Sequence, residues 1–181
     1  MHNAFIAGER VYLRGIQPED ATDDYLSWLN HPDIMQGLVS GTRPTTRREL
    51  LDYIETTVDN PNSVMFAICD RENDRHIGNI KIDSFDWISR VGEMGILIGN
   101  RDYWGKGIGQ EACTLLLTYA FETLNLRKVE LCVFSNNPGA RRLYEKIGFQ
   151  LEGTLREHVF RNGEYADKHY MGIFQQEFKP S

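Results

Sequence analysis

Two hydrophobic periods alternate along this chain, and the switches between them mark its elements. Apolar runs, continuous or at every second position, predict strands over residues 10–14, 64–69, 77–82, 92–98 and 128–134. Helical spacing fills most of the gaps. Pro18-Glu19-Asp20 opens a helix that carries Tyr25, Leu26, Trp28 and Leu29 to about residue 30, where His31-Pro32 ends it. Residues 34–43 read as a loop. Thr45 or Thr46 then caps a second helix reaching about residue 58, with Leu50, Leu51, Ile54 and Val58 on one face. A long helix is predicted over residues 107–124 and a short one over 138–147. The runs 151–160 and 165–174 flank Arg161-Asn162-Gly163-Glu164, and Asn-Gly there suits the type I′ turn of a hairpin. The order is β-αα-βββ-α-β-α-ββ. Without repeats or low-complexity linkers, residues 1–181 read as a single α/β domain.

The densest chemical signal lies where the strand 92–98 meets the long helix. Tyr103-Trp104-Gly105-Lys106-Gly107-Ile108-Gly109-Gln110 sets three glycines at alternate positions. Glycine permits positive φ and close approach of another molecule. A helix starting there aims unpaired N–H groups and the positive end of its dipole at one point, which suits a phosphate. The Walker pattern would need Lys-Ser or Lys-Thr after the last glycine, and neither is present. The Rossmann fingerprint would need glycine where Gln110 stands, and the acidic Glu130 lies inside a strand rather than at its end. A turn that only joins strand to helix is the plain alternative.

Composition narrows the class. Twenty basic against 26 acidic residues give a net charge of −6, which argues against nonspecific nucleic-acid binding. No apolar run has membrane-spanning length, and the first residues lack a signal-peptide core, so a cytoplasmic protein without a membrane partner is expected. Cys69, Cys113 and Cys132 are widely spaced and read as buried free thiols of a reducing compartment. No Cys/His cluster has metal spacing, so no metal is expected. His31, His76, His158 and His169 form no recognisable site and read as surface or hairpin residues.

A second motif follows the strand 128–134. In Ser135-Asn136-Asn137-Pro138-Gly139-Ala140-Arg141-Arg142-Leu143-Tyr144-Glu145-Lys146-Ile147-Gly148-Phe149 an Asn starts a helix, Pro138 takes its first turn and Gly148 closes it. "YWGKGIGQEA" and "NPGARRLYEKIGF", in this order and spacing, resemble the GCN5-related N-acetyltransferase superfamily. More narrowly they resemble its ribosomal-protein alanine, spermidine and nucleotide-sugar acetyltransferases. The resemblance is tightest over residues 77–173. It implies a mixed, twisted sheet of about seven strands and about four helices, in which the parallel fourth and fifth strands splay apart. It also implies that acetyl-CoA enters the gap as co-substrate, its pantetheine arm bonded to the open edge of the fourth strand at Ile96, Leu97 and Ile98. The pyrophosphate would lie over Gly105, Lys106, Gly107, Ile108 and Gly109, with Asn137 and Arg142 as further cofactor contacts. Trp104 stands where the superfamily usually has Gln or Arg, a departure that leaves its role open; packing against the cofactor arm is the plain option. Lys106 adds a point charge toward phosphate or is a solvated loop residue.

The implied reaction needs an amine to lose a proton, an oxyanion to be stabilised and a thiolate to receive a proton. By the resemblance, the tyrosine seven residues after the helix-starting Asn protonates the thiolate, and Tyr144 stands at that spacing from Asn137. An ordinary helix tyrosine packed in the core is the alternative. Asn137 also suits a helix N-cap. Glu93 is the candidate base, on the face of its strand opposite Met94 and shared with Gly95; a structural ion pair is the competing reading. The first two helices and the loop 34–43 would wall the acceptor side. Trp28-Leu29-Asn30-His31-Pro32 resembles a W-x-N-x-P region common across this branch, which does not select an acceptor. Glu19, Asp20, Asp23 and Asp24 could draw a polyamine, but acidic residues in a helix's first turns favour its dipole anyway. The expected acceptor is a small amine, an amino sugar or a protein N-terminus. A polyamine, a non-catalytic acetyl-CoA-binding module and a homo-oligomer stay open.

Overall fold

The computed structural model describes residues 3–38 and 42–180. Its strands are β1 (Ile6–Ala7), β2 (Val11–Gly15), β3 (Val64–Asp70), β4 (His76–Asp86), β5 (Val91–Ile98), β6 (Lys128–Phe134), β7 (Gln150–Arg161) and β8 (Glu164–Phe174). Its helices are α1 (Asp23–Leu29), α2 (Pro32–Met35), α3 (Arg47–Val58), α4 (Ile108–Glu122) and α5 (Pro138–Ile147). One sheet of eight strands has the order β1-β2-β3-β4-β5-β6-β8-β7. All pairings are antiparallel except β5 with β6.

Two counts differ from the sequence reading. The sheet has eight strands rather than about seven, because Ile6 and Ala7 pair with Leu13 and Tyr12 of β2. Two residues are too few to show a period. Among the described residues there are five helices rather than about four. The expected first helix breaks after a 3-10 turn at Pro18–Asp20. There the Asp20 carboxylate is drawn to Arg14 at 2.6 and 2.7 Å and to the Gln17 N–H at 2.9 Å. Thr22 then starts α1 afresh by accepting from the Tyr25 N–H at 3.3 Å. His31-Pro32 does not simply end a helix. His31 Nδ1 accepts from the Asp33 N–H at 3.2 Å and Pro32 takes the first turn of α2, which intrudes into the expected loop. Residues 39–41 of that loop lie outside the described residues.

The sheet separates two cores. On one face α4 and α5 cover Val11, Leu13, Ile80, Ile82, Met94, Leu131 and Met171. On the other, α1 and α3 bring Tyr25, Trp28, Leu50 and Ile54 against Tyr12, Ala67 and Cys69. Along β5 the alternation of a strand sends Met94, Ile96 and Ile98 toward the α4 core and Leu97 toward the other. Among the described residues no helix is long and apolar enough to cross a membrane.

Candidate active site

The parallel pair is short. β5 meets β6 only at Val91↔Lys128, Gly92↔Val129 and Glu93↔Glu130, after which the strands part. β5 stays paired with β4 as far as Gly78↔Ile98, so its other edge is open beyond Glu93. Backbone directions on that edge follow from contacts with β4. A Cβ built on Gly78 would lie 2.3 Å from the Leu97 carbonyl oxygen, and the Gly99 N–H donates to Ile77 O at 3.0 Å. Leu97 therefore turns its amide groups to β4, while Ile96 and Ile98 turn theirs to the gap. Of the three residues expected to present backbone groups there, two do.

A cleft of about 500 Å³ occupies the gap. Ile96, Leu97 and Ile98 line one wall, Val133, Asn137, Leu143 and Tyr144 another, and Trp104, Gly105, Gly107, Ile108 and Gly109 the end. Lys106 and Arg142 are exposed and are not among the lining residues. Gly107 is the N-cap of α4 with φ +78, and Gly105 has φ +71. Both are left-handed conformations that glycine takes without strain. Arg10 holds this loop from behind. Its Nη1 donates to Lys106 O at 2.6 Å, its Nη2 to Gly107 O at 3.3 Å and its Nε to Glu111 at 2.9 Å. Glu111 also accepts from the backbone N–H groups of Arg10 and Val11. Sequence reasoning missed both residues, which lie about a hundred positions apart and share no local pattern. A valine at 107 would be strained at that φ and would meet Arg10 Nη2 at 3.2 Å from its Cβ. Gly107→Val is expected to weaken acetyl-CoA binding about tenfold or more, measured by calorimetry on folded protein. Unchanged affinity would exclude the loop as a pyrophosphate cradle.

Trp104 has a role that sequence left open. Its indole N–H donates to Ile98 O at 2.8 Å, and Arg101 lies over its ring at 5.6 Å. Trp104 thus closes the last carbonyl on the open edge of β5. Arg101 reaches on to Asp33 of α2 at 3.0 Å, tying the loop end to the opposite wall.

Asn137 caps α5, its Oδ1 accepting from the Ala140 N–H at 3.1 Å, and it also lines the cleft. Seven residues on, Tyr144 is 8% exposed, with its ring edge-on to Phe149 at 5.8 Å. Its hydroxyl has no hydrogen-bond partner among the described residues. Burial pushes the phenol well above its ordinary pKa, and Cys113 and Cys132 act in the same direction.

A second cavity, of about 700 Å³, lies on the α1 and α3 side of the sheet. Its floor is the same-face set Asn79, Lys81 and Asp83 of β4, Glu93, Gly95 and Leu97 of β5, Cys132 of β6 and Lys168 of β8. Tyr25, Leu29, Met35, Leu38, Glu49 and Tyr53 form the roof. Glu93 faces this cavity and has no cation within 4.0 Å among the described residues, so no ion pair of the kind weighed above forms. Desolvation raises its pKa, with Asp83 and Glu130 adding and Lys168 and Lys81 opposing. The two cavities share Gly37, Leu38, Ile96, Leu97, Cys132 and Tyr144. They therefore meet beside the phenol.

The W-x-N-x-P region now has a structural account. Trp28 lies so close to Gly99 that a Cβ there would fall 2.0 Å from its ring. Asn30 clamps the far end of the loop by giving Nδ2–H to Thr45 O at 2.9 Å and accepting from the Thr45 N–H at 2.8 Å. Asp20, Asp23 and Asp24 pair with Arg14, Arg47 and Arg75. His76 departs from the surface expectation, and His169 lies in the hairpin as expected but is buried there. His76 is wedged edge-on against Tyr25 and Trp28, and His169 is 8% exposed with Nδ1 at 2.9 Å from the Thr154 hydroxyl. Cys69 and Cys113 are buried free thiols, whereas Cys132 is half-buried at the junction of the cavities. Among the described residues no group of three His, Cys, Asp or Glu is placed to hold a metal.

Comparison with known proteins agrees with this geometry. Residues 10–150 match the family model for the acetyltransferase (GNAT) domain. The N-acetyltransferase YokL of Bacillus subtilis (strain 168), derived from the SPbeta prophage, is 30% identical over 178 residues, spanning 95% of this chain and 94% of its own. Spermidine N(1)-acetyltransferase of Escherichia coli (strain K12) is 33% identical over 131 residues, 72% of this chain and 68% of its own. A crystal structure of spermidine N-acetyltransferase from Vibrio cholerae in complex with CoA and spermine superposes with a TM-score of 0.85 at 29% identity, covering 94% of this chain and 98% of that one. With a splayed parallel pair, a glycine-rich helix start and an N-capped tyrosine helix in place, the chain belongs to the GNAT family of acetyl-CoA-dependent N-acetyltransferases.

Proposed function

We propose that this enzyme acetylates a primary amine by direct attack within a ternary complex, with Tyr144 as the acid and Glu93 as the base. The observation that carries the reading is the meeting of two cavities at Tyr144, Cys132 and Leu97, with Glu93 in one and the glycine loop in the other. Acetyl-CoA, when bound, supplies the activated acetyl group. The open amide groups of Ile96 and the N–H of Ile98 suit strand-like pairing with the amides of its extended arm. The N–H groups at the start of α4 suit its phosphates. Glu93 accepts the amine proton directly or through a water, and the Tyr144 hydroxyl gives its proton to the departing thiolate. Every element from residue 6 to residue 174 joins or packs on one sheet, which supports reading residues 1–181 as one domain. The net charge of −6 and the free thiols support a cytoplasmic enzyme without nucleic-acid or membrane partners.

The acceptor on this reading is a small amine, an amino sugar or a protein N-terminus. A polyamine is the second reading, favoured by the relatives that bear the spermidine name. Thiol release from acetyl-CoA across an amine panel tests both. Turnover is expected with at least one primary amine, and initial-velocity lines against both substrates should intersect. Parallel lines would replace the ternary complex by a covalent intermediate. Binding of acetyl-CoA without release on any amine would instead identify a non-catalytic binding module.

A further inference from the structure

The charges of the second cavity are unevenly spent. Three carboxylates line it, those of Glu49, Asp83 and Glu93. Glu49 closes the capping box of α3, accepting from Thr46 N–H at 2.8 Å and from its hydroxyl at 2.7 Å. Asp83 is ion-paired with Lys81. Glu93 alone has no partner in contact among the described residues. Two ammonium groups also line the cavity, those of Lys81 and Lys168. Lys168 has no carboxylate within 4.0 Å among the described residues; it lies 4.8 Å over the Tyr170 ring and beside the Cys132 thiol. Asn79, 3% exposed, lines the same floor. Its Oδ1 is held by His76 Nε2 at 3.0 Å, and its Nδ2 is buried without a partner.

On a single floor, therefore, one carboxylate and one ammonium lack an ion-pair partner, the ammonium being held by Tyr170 and Cys132, and one amide N–H lacks an acceptor. A polyamine supplies several ammonium groups and no acceptor. It would meet carboxylates without a contacting cation at Glu93 and Glu49, but it would set positive charge against Lys168, a repulsion that low local dielectric strengthens. The acidic residues around α1 offer no substitute, since Glu19, Asp20, Asp23 and Asp24 do not line this cavity and the three aspartates already face arginines. A ligand with one amine and an oxygen acceptor a few ångströms away answers both Glu93 and Lys168. Resting on the reading of this cavity as the acceptor site, we propose that the acceptor is a monoamine bearing a carboxylate, carbonyl or hydroxyl oxygen, and that Lys168 binds that oxygen.

Steady-state kinetics at saturating acetyl-CoA, with D-glucosamine, L-alanyl-glycine, spermidine and butylamine as probes, test the assignment. At least one oxygen-bearing amine should exceed spermidine in kcat/KM by about tenfold, the scale of one charge-assisted hydrogen bond. Lys168→Met should raise KM for that amine by about tenfold while moving KM for butylamine less than about twofold. Lys168 also acts on the Glu93 carboxyl, so any shift of the pH profile should be common to all acceptors, and the ratio of the two KM changes isolates binding. Lys168→Glu should lower KM for spermidine. Preference for spermidine by the unmodified enzyme, or equal KM changes for butylamine and the oxygen-bearing amine, would overturn the inference and leave the acetyltransferase reading standing. Thiol release with none of the four amines would overturn both.

Discussion

Tyr144→Phe is expected to lower turnover by about 10²-fold or more, with acetyl-CoA affinity and melting temperature close to those of the unmodified enzyme. The substitution keeps the ring and its contact with Phe149. It removes a hydroxyl that no described residue bonds, so no buried partner is left unsatisfied. The raised phenol pKa keeps the proton in place through neutral pH. A phenol raised this far is a weak acid for an ordinary thiolate, whose reference value is near ~8.5. The same burial raises the basicity of a thiolate formed beside it, which keeps the pair matched. Single-turnover measurement, where chemistry limits the rate, gives the comparison. An undiminished single-turnover rate would exclude Tyr144 as the acid.

Glu93→Gln is expected to lower the rate at neutral pH by about tenfold to 10²-fold, and the deficit should shrink at high pH, where more of the amine is already neutral. Stability separates a base from a scaffold. Desolvation, helped by Asp83 and Glu130 and opposed by Lys168 and Lys81, makes the folded carboxyl hold its proton more tightly than the unfolded one. Between the ordinary carboxylate value and this raised one, stability falls as pH rises, and above it the cost of the charge is fully present. Glutamine carries no such cost. The melting temperature at neutral pH should therefore hold or rise slightly, whereas loss of a structural ion-pair partner would lower it. The limb of kcat/KM set by this carboxyl should sit above the usual carboxylate range in the unmodified enzyme and be lost in the variant, leaving the limb set by the amine. A stable variant with full rate and an unaltered pH profile would remove Glu93 from the mechanism.

Legibility in the sequence followed the range of the interactions. The hairpin at Asn162-Gly163, the N-cap at Asn137, the close of α5 at Gly148 and the cap at Thr46 were all readable, because each is decided within a few residues. The break at Asp20 was not, because its cause is Arg14 on a different element. Nor was the helix at Pro32, whose four residues fall below any period. The backbone direction of Leu97 could not be separated from that of its neighbours until its register with Gly78 was known.

The sequence by itself determined the order of the longer elements, the glycine-rich helix start, the spacing from Asn137 to Tyr144 and the side of β5 that bears Glu93. Turn chemistry and the two side-chain periods act locally, so these features are written where they occur. Tertiary structure decided that Trp104 closes the Ile98 carbonyl, that Arg10 and Glu111 hold the glycine-rich loop, and that Glu93, Cys132, Lys168 and Tyr144 line one cavity. Those groups come from different strands and helices. Only the divergence of β5 from β6, after three paired residues, opens the gap in which they converge.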